Sequence, residues 1–468
     1  MVLCTDFGQI FKRIKLMSRN TPALVIFLIL LSAFSSCKKK NPTGGPQNQG
    51  PPSTPPVVVK KLATADSVLV LKELYTGTKE AKRLAQNNPA SDFSPTGFYF
   101  PPGGTVTINL TAIKGSHKPV LLVGTYSRYN NKWNPTTYTL NSGTNNITDP
   151  LGGIMYVRFG NDFPDSEVSL EFVSGFKPIP FFQSGKTTQK EWVEMLDNLK
   201  DVPDAQLVGR KTIITFSLAN AVKYKNDDRQ ALIDKADRVI NIEDSISGLF
   251  GPDPIDQPNQ HRYLLTESDN PDYYMAATYY RTWYRTTDAV PAILTAENLT
   301  WGPWHELGHM HQQGTWTWSE LSEVTVNVYS LAVQKALGLP SRLKDDNTWQ
   351  QAMSYLSQPE SAKNFNASSV SVWVRLCMFQ QLKLAFGDSF YHQLHRTARR
   401  EVSLPTTNDA KMKWFMIQAS KISGKNLSLF FKKWGLALSN PTLTDDAYSE
   451  IANLNLPLPA TDISLFVD

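Results

Sequence analysis

Trp301-Gly302-Pro303-Trp304-His305-Glu306-Leu307-Gly308-His309 is followed, fourteen residues after its second histidine, by Glu323 in the run Ser322-Glu323-Val324-Thr325-Val326-Asn327. Two histidines four apart on a helix lie on one face, one turn apart, so both imidazoles reach one ion. The glutamate between them can hold a water beside that ion. A catalytic zinc takes three protein ligands and keeps its fourth position for water. Trp301, Trp304 and Leu307 surround the motif and predict a buried helix, and Gly308 lets another backbone approach it. Two buried histidines and a buried carboxylate need a partner, and a metal supplies one.

The third ligand follows by elimination. A third histidine in the pattern H-E-x-x-H-x-x-G-x-x-H needs Gly at 312 and His at 315, where the chain has Gln312 and Thr315. The first aspartate after His309 is Asp345. Glu320, Glu323 and His311 remain. His311, two residues from His309, faces away from the other ligands. Glu320 lies in a loop, where a solvated carboxylate is the expected role. Glu323 opens an apolar stretch that reads as a buried helix, and is the favoured ligand. Asn327, one turn later, is placed to hydrogen-bond a ligand histidine. Zinc suits these donors, although other divalent metals fit such sites.

The segment Trp301–His311, continued by Gln312-Gln313 and then by Ser322-Glu323-Val324-Thr325-Val326-Asn327, resembles the enhancin-like zinc metallopeptidases, which include viral enhancins and bacterial mucin-degrading proteases. Ser322 replaces the family's usual glycine. The resemblance extends upstream through Gly185-Lys186-Thr187-Thr188 and Glu191-Trp192, downstream through 373–386, and covers roughly residues 90–440. It implies that His305, His309 and Glu323 bind Zn2+ and that Glu306 is the general base. It also implies a substrate among O-glycosylated, mucin-like proteins, cleaved within the chain.

The N-terminus carries Lys12, Arg13, Lys15 and Arg19, then an apolar run over 23–34, then Ser35-Ser36-Cys37. The run is too short for a membrane span of about twenty residues. It predicts a lipoprotein signal peptide (1–37), export, and membrane anchoring through a lipid on Cys37. An ordinary secretory signal cut near Ser36 also predicts export. The formal charge of +5 comes from this leader: residues 1–40 hold seven Lys/Arg against Asp6, which leaves 40 basic and 41 acidic residues in the rest. The pI gives no warrant for nucleic-acid binding. Of three cysteines only Cys377 lies beyond the leader, so no internal disulfide is expected, and its apolar setting reads as a buried structural thiol.

The predicted fold class is α+β: an N-terminal β-sandwich, then a zincin-type metallopeptidase domain with a mostly helical C-terminal part. The Pro/Gly/Asn-rich stretch 38–61 reads as a tether and 62–94 as a short helical segment. Alternating strands separated by Pro102-Gly103-Gly104 and Gly152-Gly153 place the sandwich at 95–176. It either binds carbohydrate or only supports the protease. The catalytic domain spans 177–440 and a tail 441–468. Within it, Thr188-Gln189-Lys190-Glu191 is a capping box, 211–218 a strand, 227–246 a helix with an exposed charged face, and 275–295 holds the edge strand that would align an extended substrate.

Trp316 and Trp318, between the metal helices, are candidate sugar-stacking residues, or else core. Tyr391, His392 and His395 are candidate oxyanion donors, or else an ordinary amphipathic helix. Arg375 reads as a structural ion pair rather than a substrate contact, and His117 and His261 are unassigned. The expected protein is a monomeric exported endopeptidase. The competing expectations are a glycan-binding surface lipoprotein with a vestigial protease domain, and an exported aminopeptidase.

Overall fold

The computed structural model describes residues 62, 64–345 and 347–468. The predicted signal peptide, Cys37 and the tether therefore lie outside the described residues. Strands β1 (Val68–Lys72), β2 (Phe93–Phe100), β3 (Thr105–Lys114), β4 (Val120–Val123), β5 (Thr136–Thr139), β6 (Gly143–Thr148), β7 (Gly153–Arg158), β8 (Glu167–Ser174) and β9 (Lys177–Pro178) form two antiparallel sheets. Their orders are β1-β8-β3-β6 and β5-β4-β7-β2-β9. Alternation along β3 and β8 sends Val106, Ile108, Leu110, Val168, Leu170 and Phe172 into one core with Phe98, Phe100, Met155 and Val157 of the facing sheet. The sandwich is wider than 95–176: β1 adds an edge strand to β8, and β2 begins at Phe93. Residues 62–94 are thus one strand and one helix, α1 (Gly77–Leu84), not a helical segment throughout.

A third sheet follows, from β10 (Phe181–Gln183), β11 (Asp204–Val208), β12 (Thr212–Ser217), β13 (Tyr263–Ser268), β14 (Met275–Thr278) and β15 (Arg281–Arg285), in the order β10-β11-β12-β13-β15-β14. β12, β13 and β15 run parallel, and β14 closes the edge antiparallel to β15. Thr188 caps α2 (Gln189–Asn198) with the capping box read from sequence. The short α3 (Leu218–Lys223) and long α4 (Arg229–Ile246) follow. The charged face expected on α4 is exposed at Asp234 and Arg238, while Asp237, Glu243 and Asp244 are buried. Asp237 accepts hydrogen bonds from the backbone of Arg210 and Lys211 and from the Thr212 hydroxyl, while Glu243 and Asp244 face the metal helix.

The His-Glu-x-x-His helix is α5 (Trp301–His311), and the third candidate ligand lies in the first turn of α6 (Ser322–Ala336). Gly308 lies where these helices touch: a Cβ there would come 2.9 Å from the Val326 carbonyl. The rest is helical: α7 (Arg342–Asp345), α8 (Thr348–Leu356), α9 (Val372–Phe386), α10 (Asp388–Arg399), α11 (Asn408–Ser423), α12 (Ser428–Lys433) and α13 (Pro441–Asn453). Residues 441–468 are not a loose tail. Ile451 is buried, Gln381 donates to the Ser464 carbonyl, and Asp468 accepts from Trp349 and Gln380. Cys377 is buried on α9, and burial pushes its thiol pKa up. Among the described residues no helix is long and apolar enough to cross a membrane.

Candidate active site

His305, Glu306 and His309 come from α5 and Glu323 from the first turn of α6. Close packing of the helices through Gly308 brings one nitrogen of each histidine to the same carboxylate oxygen. His305 Nε2 lies 3.1 Å and His309 Nε2 3.5 Å from Glu323 Oε2. One ligand atom from each residue falls within 4.8 Å of the other two, and among the described residues no other such group of three was found. Ligands about 2.0–2.2 Å from a tetrahedral ion lie about 3.3–3.6 Å apart, so the spacing fits.

Each histidine is fixed by its other nitrogen. His305 Nδ1 is 2.9 Å from Asn327 Oδ1, and Asn327 Nδ2 donates to the Glu323 carbonyl at 2.8 Å. His309 Nδ1 is 3.2 Å from Gln312 Oε1, while Gln312 Nε2 donates to the Ser322 carbonyl and the Thr325 hydroxyl. Those amide donations identify the oxygen as the atom facing each imidazole. Each Nδ1 therefore donates, and Nε2 is the nitrogen that each ring turns toward Glu323 and would offer to an ion on giving up its proton. Asn327 sits where the sequence put it. Gln312 was not singled out; its position three residues after His309 on the helix end was the available signal.

The electrostatics are those of a cation cradle. Burial disfavours charge on Glu323, yet hydrogen bonds from His305 and His309 hold its carboxyl well below the usual range. Burial also opposes charge on His309, and the Glu323 contact overrides it, raising the pKa to about 9. Glu306 is buried, which raises its pKa, while the two histidines pull it down and Glu323 raises it again; the net shift is upward. A carboxylate raised this way is a better proton acceptor near neutral pH.

The remaining candidates fall elsewhere. His311 turns from the ligands toward α4, 2.9 Å from Glu243 and 3.2 Å from Asp244. The Glu320 carbonyl accepts from Arg375, whose guanidinium also binds the carbonyls of Phe365 and Ala367; Arg375 holds backbone rather than forming an ion pair. Trp316 and Trp318 are 0% and 1% exposed, so neither indole face is offered to a sugar. Trp316 packs on Phe379, Tyr391 and His395 and donates to Gln313, and Trp318 packs on Phe365 and Phe415 and donates to Asn366. Tyr391 is fully buried and donates to the Phe379 carbonyl. His395 is fully buried between the Tyr391 carbonyl and the Tyr329 hydroxyl. His392 lies against Phe250. His117 pairs with Glu73 and His261 with the Tyr75 carbonyl.

A sheet with an antiparallel edge strand, a His-Glu-x-x-His helix packed beside that strand and a glutamate on the next helix define a metallopeptidase. The chain belongs to the peptidase M60 family, enhancin and enhancin-like, whose model matches residues 175–435; the N-terminal domain of M60-like peptidases matches 76–172. A functionally unknown conserved protein from Bacillus anthracis str. Ames, solved as a mutant, is 34% identical with a TM-score of 0.78, over 86% of this chain and 81% of its own. The M60 catalytic domain of Clostridium perfringens ZmpC, in complex with the sialyl T antigen, shares the fold at 18% identity and a TM-score of 0.71, over 85% and 81%. TRPM8 channel-associated factor 3 of Rattus norvegicus is 25% identical over 360 residues, 73% of this chain but 38% of that protein. The chain thus spans well under half the length of that curated relative.

Proposed function

We propose that the chain is a zinc-dependent endopeptidase that hydrolyses peptide bonds in O-glycosylated, mucin-like proteins. The convergence of His305 Nε2, His309 Nε2 and Glu323 Oε2 beside a buried Glu306 carries this reading. Zinc held by those three atoms would polarise the scissile carbonyl and acidify a water. Glu306 takes a proton from the attacking water and delivers it to the leaving amine. Asn327 and Gln312 keep both imidazoles in the tautomer that leaves Nε2 unprotonated. β14, the edge strand, packs beside α5: Met275 Sδ would be 2.8 Å from a Cβ on Gly302. An extended substrate adds to that edge through its backbone and lies across the helix.

The glycoprotein preference is supported by the sialyl T antigen bound to the ZmpC domain. Export and anchoring through a lipid on Cys37 are supported by the leader sequence alone. The complete ligand set, with Glu306 in place, favours hydrolysis over a binding-only role.

The test is digestion of an O-glycosylated mucin, intact and enzymatically deglycosylated, by wild-type and Glu306→Ala proteins of equal zinc content. Cleavage of the glycosylated form alone, lost in the variant, is the expected result. Equal cleavage of both forms would remove the glycan preference, and cleavage by the variant would remove Glu306 as the base. A peptide blocked at its N-terminus should be cut as well as an unblocked one; failure would indicate an aminopeptidase.

A further inference from the structure

The cleft has two walls: α5, which carries both histidines, and the hairpin of β14 and β15. At one end they touch directly, because Met275 at the start of β14 packs on Gly302 at the start of α5. His305 and Glu306 follow Gly302 by about one helical turn. At its other end the hairpin turns through Tyr279 and Tyr280, the two residues between Thr278 and its partner Arg281. Tyr280 holds a φ of +71°, a left-handed conformation that bulky side chains rarely adopt. Such a conformation persists only where its surroundings over-determine it. Here the Tyr280 N–H donates to the Pro89 carbonyl at 2.8 Å, and its carbonyl accepts from the Ser91 hydroxyl at 2.8 Å. Its ring stacks on Tyr126 with 5.5 Å between centres, and the Arg158 guanidinium lies 5.0 Å from the ring.

The stretch of chain that holds Tyr280 also holds the far end of α5. Helix α1 is closed by Ala85, and the chain then runs past the last turn of α5. The Leu84 carbonyl accepts from Gln313 Nε2 at 2.9 Å, and Gln86 pairs with Gln313 in an antiparallel bridge. The Asn87 N–H donates to the Gln312 carbonyl at 3.1 Å. Asn88 Nδ2 donates to the His309 carbonyl at 3.3 Å. The last four carbonyls of a helix have no partner within it, and Asn88 supplies one for a candidate ligand. Pro89 has no N–H to give, and its carbonyl goes to Tyr280. Ser91 Oγ also accepts from the Leu264 N–H at 2.8 Å, which anchors the stretch to β13. Two adjacent residues, Asn88 and Pro89, thus join one wall of the cleft to the other. The ligand-bearing turns of α5 lie between this tie and the contact of Met275 with Gly302.

We propose that residues 86–91 are a strap that sets the spacing between α5 and the edge strand, with Asn88 and Tyr280 as positioning residues for peptide hydrolysis. The proposal rests on an extended substrate at β14. A peptide paired with β14 through its backbone takes its position from that strand, so a shift of the strand becomes a shift of the scissile carbonyl. A misplacement of about 1 Å costs about a hundredfold in rate. A substrate too short to pair with β14 does not depend on where that strand lies.

The experiment measures kcat and KM on O-glycosylated mucin peptides of increasing length, with zinc affinity followed by chelator competition. Wild type is compared with Asn88→Ala, Asn88→Gln, Tyr280→Ala and Tyr280→Phe. In the two alanine variants kcat/KM should fall about 10- to 100-fold on peptides that span β14. It should change little on the shortest ones, and zinc affinity should be kept. Asn88→Gln keeps the amide donor and Tyr280→Phe keeps the ring, so both should recover most of the loss. A loss equal at every length, a loss that follows zinc affinity, or unchanged kinetics in both alanine variants would overturn the positioning role. Should Tyr280→Ala fail to fold, the partly exposed Asn88 carries the test. Amide hydrogen exchange over residues 275–285 reads the strap without catalysis. Asn88→Ala should lose protection there, and protection equal to wild type would overturn the strap. Wild-type protein that cleaves no peptide, with that loss seen in Asn88→Ala, would overturn the peptidase reading and leave the strap standing.

Discussion

The Asn327 side chain bridges two candidate ligands of the same ion: its Oδ1 is 2.9 Å from His305 Nδ1, and its Nδ2 donates to the backbone carbonyl of Glu323 at 2.8 Å. One amide thereby sets the tautomer of a histidine on α5 and ties it to the turn of α6 that carries the carboxylate. Asn327→Ala removes both bonds and leaves a buried imidazole N–H without its acceptor. Zinc affinity should fall about 10- to 100-fold, read by competition with a chromophoric chelator. Asn327→Asp keeps an acceptor for Nδ1 and should recover part of the loss. Equal affinities for all three proteins would mean that Asn327 has no hold on the metal.

Gln312 plays the matching part for His309, and its amide also binds the Ser322 carbonyl and the Thr325 hydroxyl. Gln312→Ala should weaken zinc binding by a similar factor, about 10- to 100-fold. Gln312→Glu keeps an acceptor for His309 but loses the donor to Ser322 and Thr325, and should fall between. Unchanged zinc binding in Gln312→Ala would confine the residue to packing.

The His-Glu-x-x-His helix was legible because its signal is local: two candidate ligands and a candidate base within five residues, with Glu323 and Asn327 on the next helix. Gln312 was hidden because its role depends on where Ser322 and Thr325 return in space. The same reason explains α4. Asp234 and Arg238 are exposed as its charged face predicts, but Asp237, Glu243 and Asp244 are buried because their partners lie in the 210–212 turn and at His311, far along the chain. β1 was missed because Val68 and Val70 are exposed on a short edge strand, separated from the rest of the sandwich by α1. Aromatic residues in a loop carry no signal of their own exposure. Trp316 and Trp318 turn inward, while Trp133 keeps part of its ring in solvent.

Glu306→Gln keeps the shape of the side chain and removes the proton acceptor. Hydrolysis should fall by about 10²- to 10⁴-fold with zinc content and melting temperature nearly unchanged, because Glu306 lies outside the three-ligand group. Loss of zinc in this variant would instead place Glu306 among the ligands.

Trp316 is fully enclosed by Phe379, Tyr391 and His395. Trp316→Ala should therefore destabilise the fold by about 3–5 kcal/mol, seen as a lower denaturant midpoint. A sugar-stacking residue would behave differently, with stability unchanged and KM raised for glycosylated substrates alone. Observing that second pattern would refute the core assignment.

His395 sets part of the acid stability. It is fully buried, and desolvation is the main cause that pushes its pKa down to about 3, against a hydrogen bond to the Tyr391 carbonyl and with help from Arg399. An unfolded histidine binds its proton near pH 6.5. Between those values the unfolded chain holds a proton that the folded chain does not. The contribution is fully present above about pH 6.5 and is lost as pH falls toward 3, amounting at most to roughly 4–5 kcal/mol. His311 works on the other side: burial opposes its charge, but Asp244 and Glu243 raise its pKa to about 10, so its contribution is lost as pH rises. Urea unfolding at pH 7, 6, 5 and 4 should show the wild type losing stability more steeply than His395→Gln. Coincident slopes would mean that the acid sensitivity is carried by other groups.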